Sequence, residues 1–234
     1  MERKIQEEWK GMRMILKVIG IDLSGPANHK DTVMSVFNTD GDLLIFENVI
    51  EHASDEKILT IIQAIAANED LVIGIDAPLS YQDGGGDRPQ DKSIRQFIKK
   101  HGLSGSSIMP PTLTKMVYLT LRGIGLTRRI MLLNHSQNIR MVEVHPGAAI
   151  GTRIGPDQIE HVLLYKKELG SRKVIFEWFK SIGLMGIPYE VVQTSHAIDS
   201  CAAALAAWHW GAETKQPTWQ WKARTTEHPF EFCC

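Results

Sequence analysis

The sequence has few cysteines, no long apolar run and almost no net charge. Only three of its 234 residues are cysteines and two of them come last, so a disulfide framework is excluded and a reducing compartment is expected. No window approaches the roughly 18 apolar residues of a membrane-spanning helix. Glu2, Glu7 and Glu8 argue against a secretory signal. We therefore expect a cytoplasmic protein without a membrane partner.

Two common binding motifs are also missing. The nine histidines and three cysteines show none of the close spacings of a zinc site. The glycine-rich segment 83–87 lacks the lysine of a phosphate-binding P-loop. A hydrophobic fraction of 43% and a charged fraction of 23% are ordinary globular values, so the chain is expected to bury one complete core.

Charge is distributed unevenly along the chain although the total is only −1. Residues 31–87 contain twelve acidic residues and one lysine, whereas residues 88–140 contain ten basic residues and one aspartate. Adjacent blocks of opposite sign can place a positive surface beside an acidic pocket, which favours a phosphate-bearing partner. The alternative is that the two blocks lie on opposite solvated faces and cancel.

The pentapeptide Val-Ile-Gly-Ile-Asp occurs twice, at 18–22 and at 72–76. Each copy is typical of a buried strand that ends in an aspartate. The intervening segment predicts a hairpin and then a crossover helix, so the second copy runs parallel to the first. If the two strands are neighbours, Asp22 and Asp76 lie within roughly 5 Å of each other at the backbone.

The rest of the chain predicts further elements around this pair of strands. Residues 1–13 form an N-terminal extension, and residues 77–138 form an irregular basic insertion. Hydrophobic spacing predicts helices at 93–101, 112–124, 157–169, 171–182 and 196–210, and strands at 140–145 and 217–222. Ser195 is the expected N-cap of the helix that begins at residue 196.

Two more acids are candidates to join Asp22 and Asp76. Asp199 is expected in the first turn of an alanine-rich helix, and a buried carboxylate there needs a partner. Glu143 could be a fourth acid or a base. The alternative is that each aspartate only caps a turn or helix. Three or four such carboxylates suit two Mg²⁺ or Mn²⁺ ions about 4 Å apart, as in phosphodiester hydrolysis.

Several ordered segments resemble one known family. They are Gly20-Ile21-Asp22, Gly74-Ile75-Asp76-Ala77-Pro78, Arg88-x-x-Asp91-x-x-x-Arg95, Met109-Pro110-Pro111, Glu143-Val144-His145-Pro146 and His196-Ala197-Ile198-Asp199-Ser200. The sequence is similar to the family catalogued as domain of unknown function 429, described as predicted nucleases of the ribonuclease H-like fold. The resemblance implies one α/β domain over residues 14–234, with a mixed five-stranded sheet of order 3-2-1-4-5 flanked by helices. It also implies that Asp22, Asp76 and Asp199 bind metal.

The leading hypothesis is a metal-dependent nuclease with Asp22, Asp76, Glu143 and Asp199 as catalytic residues. Expected substrate-binding residues are Arg88, Arg95, Lys115 and Arg122, since guanidinium groups suit bidentate phosphate recognition. Asp91 and His145 are expected to support them.

Two other functions stay open. An ATP-binding phosphotransferase of the actin or sugar-kinase type is suggested by the turn Asp22-Leu23-Ser24-Gly25. The second is a non-catalytic nucleic-acid-binding protein of the same fold.

Overall fold

The computed structural model describes residues 16–234, which form one mixed sheet of eight strands flanked by helices. The strands are β1 (Leu16–Asp22), β2 (Val33–Asp40), β3 (Leu43–Ile50), β4 (Asp70–Asp76), β5 (Ile139–Val144), β6 (Leu184–Met185), β7 (Gln220–Trp221) and β8 (Phe232–Cys233). The α-helices are α1 (Asp55–Ala66), α2 (Pro89–Lys99), α3 (Val117–Met131), α4 (Pro146–Gly151), α5 (Ile159–Leu164), α6 (Leu169–Ser181) and α7 (Ser195–Gly211). The extension predicted for residues 1–13 lies outside the described residues.

The sheet order is β6-β3-β2-β1-β4-β5-β8-β7. Its first five strands in the chain therefore have the predicted order 3-2-1-4-5, which resembles that of ribonuclease H-like proteins. The expectation of five strands was incomplete, because three strands of two residues each extend the sheet at its edges. One of them, β7, lies within the strand predicted at 217–222, whereas β6 and β8 are too short to show a repeating pattern in the sequence.

The two copies of the pentapeptide are neighbours in the sheet. Strands β1 and β4 pair in parallel, with Gly20 opposite Gly74 and Asp22 opposite Asp76. The residues alone left this adjacency open, and the structure confirms it. Since parallel strands end at the same edge, both aspartates stand at the carboxyl edge of the sheet.

The two glycines of the repeat allow α7 to pack directly on the sheet. A Cβ atom on Gly20 would lie 2.0 Å from the carbonyl oxygen of Ser200, and one on Gly74 would lie 2.5 Å from that of Ala203. Residues two apart on a strand share a face, so Asp22 and Asp76 stand on the side of the sheet that α7 covers. The opposite face, with Ile19 and its neighbours, packs in a second apolar cluster.

Several helix boundaries differ from the prediction. Helix α2 begins at Pro89 rather than Ser93, because proline suits the first helical position and the Asp91 carboxylate accepts the backbone N–H of Arg88. Helix α7 is capped by Thr194, whose hydroxyl accepts the N–H of Ala197, rather than by Ser195. Helix α6 contains Gly170, which was expected to separate two helices.

No helix within residues 16–234 combines the length and the apolar character needed to cross a bilayer.

Candidate active site

Three carboxylates from separate elements interact at the carboxyl edge of the sheet. Asp22 ends β1, Asp76 ends β4, and Asp199 lies in α7. The negative charges of Asp22 and Asp199 both act on Asp76, and Asp199 also acts on Asp22. We call this group the carboxylate edge. Asp199 was expected in the first turn of its helix, but the earlier cap at Thr194 places it beyond that turn.

Two of the three carboxylates have close polar partners. His196 Nδ1 donates to Asp22 Oδ2 over 2.6 Å. The Tyr165 hydroxyl donates to Asp199 Oδ1 over 2.5 Å, and Lys166 Nζ lies 3.2 Å from Asp199 Oδ2. The sequence analysis missed Tyr165 and Lys166, which come from the turn between α5 and α6. His196 was noted in the sequence only as part of the family-like segment that contains Asp199, with no role assigned to it.

The two strand-end aspartates bind protons more tightly than ordinary carboxyl groups. Burial and the charge on Asp199 together raise the pKa of Asp22 to about 6, although the hydrogen bond from His196 opposes the shift. The pKa of Asp76 is raised well above its usual range by burial, by the charge on Asp22 and by a hydrogen bond with Asp22. Burial is the main cause of both shifts, and repulsion from the neighbouring carboxylates adds to it.

The pKa values of the basic groups around the carboxylate edge are shifted as well. The hydrogen bond to Asp22 raises the pKa of His196 above its usual value. Asp199 raises the pKa of Lys166, which keeps the ammonium charged. Burial and the nearby Lys166 lower the pKa of His145 to about 4, so this imidazole is neutral at pH 7.

Access to the three acids is unequal. Asp22 is 7% exposed and Asp199 is 1% exposed, whereas Asp76 is only partly buried. A ligand that approaches from solvent would therefore reach Asp76 first.

The chemistry of these donors fits a hard divalent cation. Carboxylate oxygens are the ligands that Mg²⁺ and Mn²⁺ prefer, and a bound cation would stabilise the charged forms of Asp22 and Asp76, whose pKa values are raised by burial and then by neighbouring carboxylates. No set of three or more His, Cys, Asp or Glu side chains within residues 16–234 is already arranged as metal ligands. The carboxylate of Asp199 is instead held by Tyr165 and Lys166. A cation would therefore have to replace the Lys166 contact.

Glu143 does not join the carboxylate edge. Its carboxylate accepts hydrogen bonds from Arg88 Nη1 over 2.8 Å and from the Leu79 N–H over 2.9 Å, and it is 4% exposed. Arg88 also donates from Nε to Asp91 Oδ2 over 3.0 Å and from Nη1 to Ser80 Oγ over 3.1 Å. We call these residues the Arg88 network.

The Arg88 network corrects three of the expected roles. Arg88 is 1% exposed and its guanidinium is surrounded by protein acceptors, so it is not free to bind a substrate phosphate. The carboxylates of Glu143 and Asp91 both accept hydrogen bonds from the Arg88 guanidinium, so these two acids are held in the Arg88 network and not at the carboxylate edge. The helical spacing of Arg88 and Asp91 was recognised in the sequence, but Glu143 is 55 residues from Arg88 in the chain.

The other predicted basic residues also have definite positions. Arg122 is buried, with Nε 2.8 Å from Asp55 Oδ1 and Nη1 2.7 Å from Thr32 Oγ1, so its role is structural. Arg95 is partly buried and forms a two-pronged ion pair with Asp87, with both distances 2.7 Å. Lys115 is exposed.

His145 lies beside the carboxylate edge, in the charge environment of Lys166 and Asp199. Its Nδ1 accepts the N–H of Ala148 over 3.0 Å and so caps α4. His145, which was expected to support the substrate-binding residues, therefore lies close to the three acids. Its Nδ1 already accepts a hydrogen bond from helix α4.

A wide cleft of about 1020 Å³ lies away from the carboxylate edge. It is bordered by α3, by the start of β5 and by residues 224–230, and none of the three carboxylates lines it. The acids therefore face a different part of the surface.

The family comparison covers the whole carboxylate edge. A protein-family model described as "Protein of unknown function (DUF429)" matches residues 20–220. No curated protein and no solved structure matches the chain.

Proposed function

The chain belongs to the DUF429 family, and we propose that it is a divalent-metal-dependent nuclease that hydrolyses phosphodiester bonds of a nucleic acid. The observation that carries the proposal is the meeting of Asp22, Asp76 and Asp199 at one edge of the sheet, with raised pKa values at Asp22 and Asp76. Structural acids in a folded protein are usually paired, as Glu143 is. At the carboxylate edge, three acids share one lysine and one histidine, which favours a further cationic ligand.

Asp22, Asp76 and Asp199 would hold the metal, which we propose to be two Mg²⁺ or Mn²⁺ ions. Ions bound there would activate a water molecule and neutralise charge on the leaving oxygen of a phosphodiester. The protein contributes orientation: His196 fixes one oxygen of Asp22, and Tyr165 fixes one oxygen of Asp199. Burial of Asp199 in α7 holds this carboxylate against the sheet.

Helix α3 contacts the segment that follows β1. Arg122 joins this helix to the Ser24 carbonyl, two residues beyond Asp22, over 2.8 Å. Lys115 is exposed just before the helix begins and is free to approach a phosphate group. Of the four basic residues expected to bind substrate, Lys115 retains that role in our proposal and Arg95 does so only if Asp87 releases it.

The experiment is cleavage of a panel of DNA, RNA, hybrid and junction substrates in Mg²⁺ or Mn²⁺. We expect the wild-type protein to cleave at least one substrate, and Asp22→Asn and Asp76→Asn to lose the activity by about a hundredfold or more, as expected for removal of a metal ligand. Asp157→Asn, at an exposed position before α5, is the matched control and should keep full activity.

Each other outcome has a distinct meaning. Activity that survives Asp22→Asn unchanged would contradict the mechanism. Tight polynucleotide binding with no turnover would favour a non-catalytic binding protein, and stabilisation by ATP–Mg²⁺ alone would favour a phosphotransferase.

A further inference from the structure

Lys166 has an exposed side chain on a segment of backbone that is held by hydrogen bonds of its neighbour. Its neighbour Tyr165 is 2% exposed, donates a hydrogen bond to Asp199, and has its carbonyl held by Arg172 Nη1 over 2.8 Å. The Lys166 side chain, in contrast, is 61% exposed. Its backbone is therefore fixed, while its aliphatic chain is free to rotate into solvent.

The ammonium group of Lys166 lies over the carboxylate edge. Nζ is 3.2 Å from Asp199 Oδ2 and 5.8 Å from the centre of the Tyr165 ring. Its positive charge also acts on Asp22, on Asp76 and on His145. One exposed positive charge therefore acts on all three acids.

We propose that Lys166 is a built-in counter-ion that competes with the divalent cation for Asp199 and is displaced when the cation binds. This inference rests on the proposed function, because it needs a cation site at the carboxylate edge. Without metal, the ammonium stabilises the three acids; with metal, it moves away from Asp199. The displaced ammonium is then available to a phosphate group of the substrate.

The competition predicts the direction in which the Mn²⁺ affinity of a variant should change. Removing a competing positive charge strengthens binding of a second cation to the same carboxylates. We therefore expect Lys166→Met to bind Mn²⁺ about tenfold more tightly than the wild-type protein. The methionine keeps much of the apolar length of the side chain and removes only the charge.

The test is titration of the full-length protein with Mn²⁺, followed by calorimetry and by the electron paramagnetic resonance signal of free Mn²⁺. Lys167→Met, one residue further along the same exposed turn, is the matched control and should bind Mn²⁺ as the wild-type protein does. Thermal unfolding provides a second measurement. Without divalent cations Lys166→Met should melt below the wild-type protein, and saturating Mn²⁺ should remove the difference.

The possible failures are distinguishable. Equal or weaker Mn²⁺ binding by Lys166→Met, with binding retained in the wild-type protein, would overturn the counter-ion role and leave the proposed metal site intact. Equal gains in Lys166→Met and Lys167→Met would also overturn it, since they would show only a general effect of surface charge. No Mn²⁺ binding by any variant at millimolar concentrations would overturn both the metal site and the inference.

Discussion

The Arg88 network and the carboxylate edge both contain more acids than cations, but they differ in how exposed the cation is. In the Arg88 network, one guanidinium faces the carboxylates of Asp91 and Glu143, and further hydrogen bonds come from backbone groups. At the carboxylate edge, three acids share one mobile ammonium and one histidine. The cation of the first group is buried, whereas the ammonium of the second is largely exposed.

The exposure of the cation, rather than the burial of the acid, distinguishes the two groups. Glu143 and Asp199 are both buried and both come from segments typical of the family. Glu143 is neutralised by an arginine that is itself buried, whereas Asp199 faces a lysine that is largely exposed. A buried ion pair with fixed partners supports the fold, while an exposed partner can be exchanged for a ligand.

The largest expected effect comes from breaking the Arg88 network. Arg88→Met leaves Asp91 and Glu143 buried without a cation, so we expect a loss of about 3–5 kcal/mol in the free energy of unfolding. Urea denaturation measures it. Arg95→Met is the matched control: its partner Asp87 is accessible, and the expected loss is about 1 kcal/mol or less. A loss from Arg88→Met no greater than that from Arg95→Met would remove the distinction between the two groups.

A smaller effect is expected from disturbing the support of the carboxylate edge. Gly20→Ala places a methyl group in the space occupied by the Ser200 carbonyl, and α7 must shift, at a cost of about 2–3 kcal/mol in stability. Because Asp199 lies on α7, Mn²⁺ affinity should fall as well. Gly25→Ala is the control, since a Cβ there meets no atom within 4 Å and the backbone φ is −62°. Unchanged stability of Gly20→Ala would contradict the close packing.

The smallest expected effect is a gain in stability, and its size depends on pH. The pKa of Asp22 is raised from 3.8 to about 6 in the folded protein, so this side chain favours folding below pH 4 and loses that contribution as the pH rises through 6. Without divalent cations at pH 8, Asp22→Asn should therefore be more stable than the wild-type protein by about 1–3 kcal/mol. The difference should disappear below pH 4.

Unfolding free energies measured between pH 4 and pH 8 would test this sign. Destabilisation by Asp22→Asn at pH 8 would show that Asp22 is fully compensated, as Glu143 is. The carboxylate edge would then resemble the Arg88 network.

The sequence predicted the central part of the fold because the signals there are local. The repeated pentapeptide identified β1 and β4, and the hairpin and crossover between them limited the possible sheet orders. The alanine-rich run predicted a buried helix, which is α7. A strand was predicted at 217–222 and β7 lies within it, whereas β6 and β8 were not predicted because each depends on pairing with a strand that is distant in the chain.

The candidate site was only partly predictable because the partners of its acids are distant in the chain. Asp22 and Asp76 were recognised through the repeat, and Asp199 through its buried helix. Tyr165 and Lys166 were missed, since a turn between two helices gives no sign that it contacts a carboxylate 33 or 34 positions later. Arg88 and Arg122 are buried and paired with acids, which the spacing and charge of residues in a sequence do not distinguish from exposed arginines.

The glycine contacts of α7 limit how this protein can be altered. Helix and strand backbones meet with no side chain between them at Gly20 and Gly74, so the spacing between Asp199 and the two strand-end aspartates is set by backbone contact. Exchange of surrounding loops, by evolution or by design, can change what reaches the acids. Such an exchange leaves the spacing between the acids unchanged, because the contact between the helix and strand backbones sets that spacing. Any chemistry at these acids must therefore work with the same spacing.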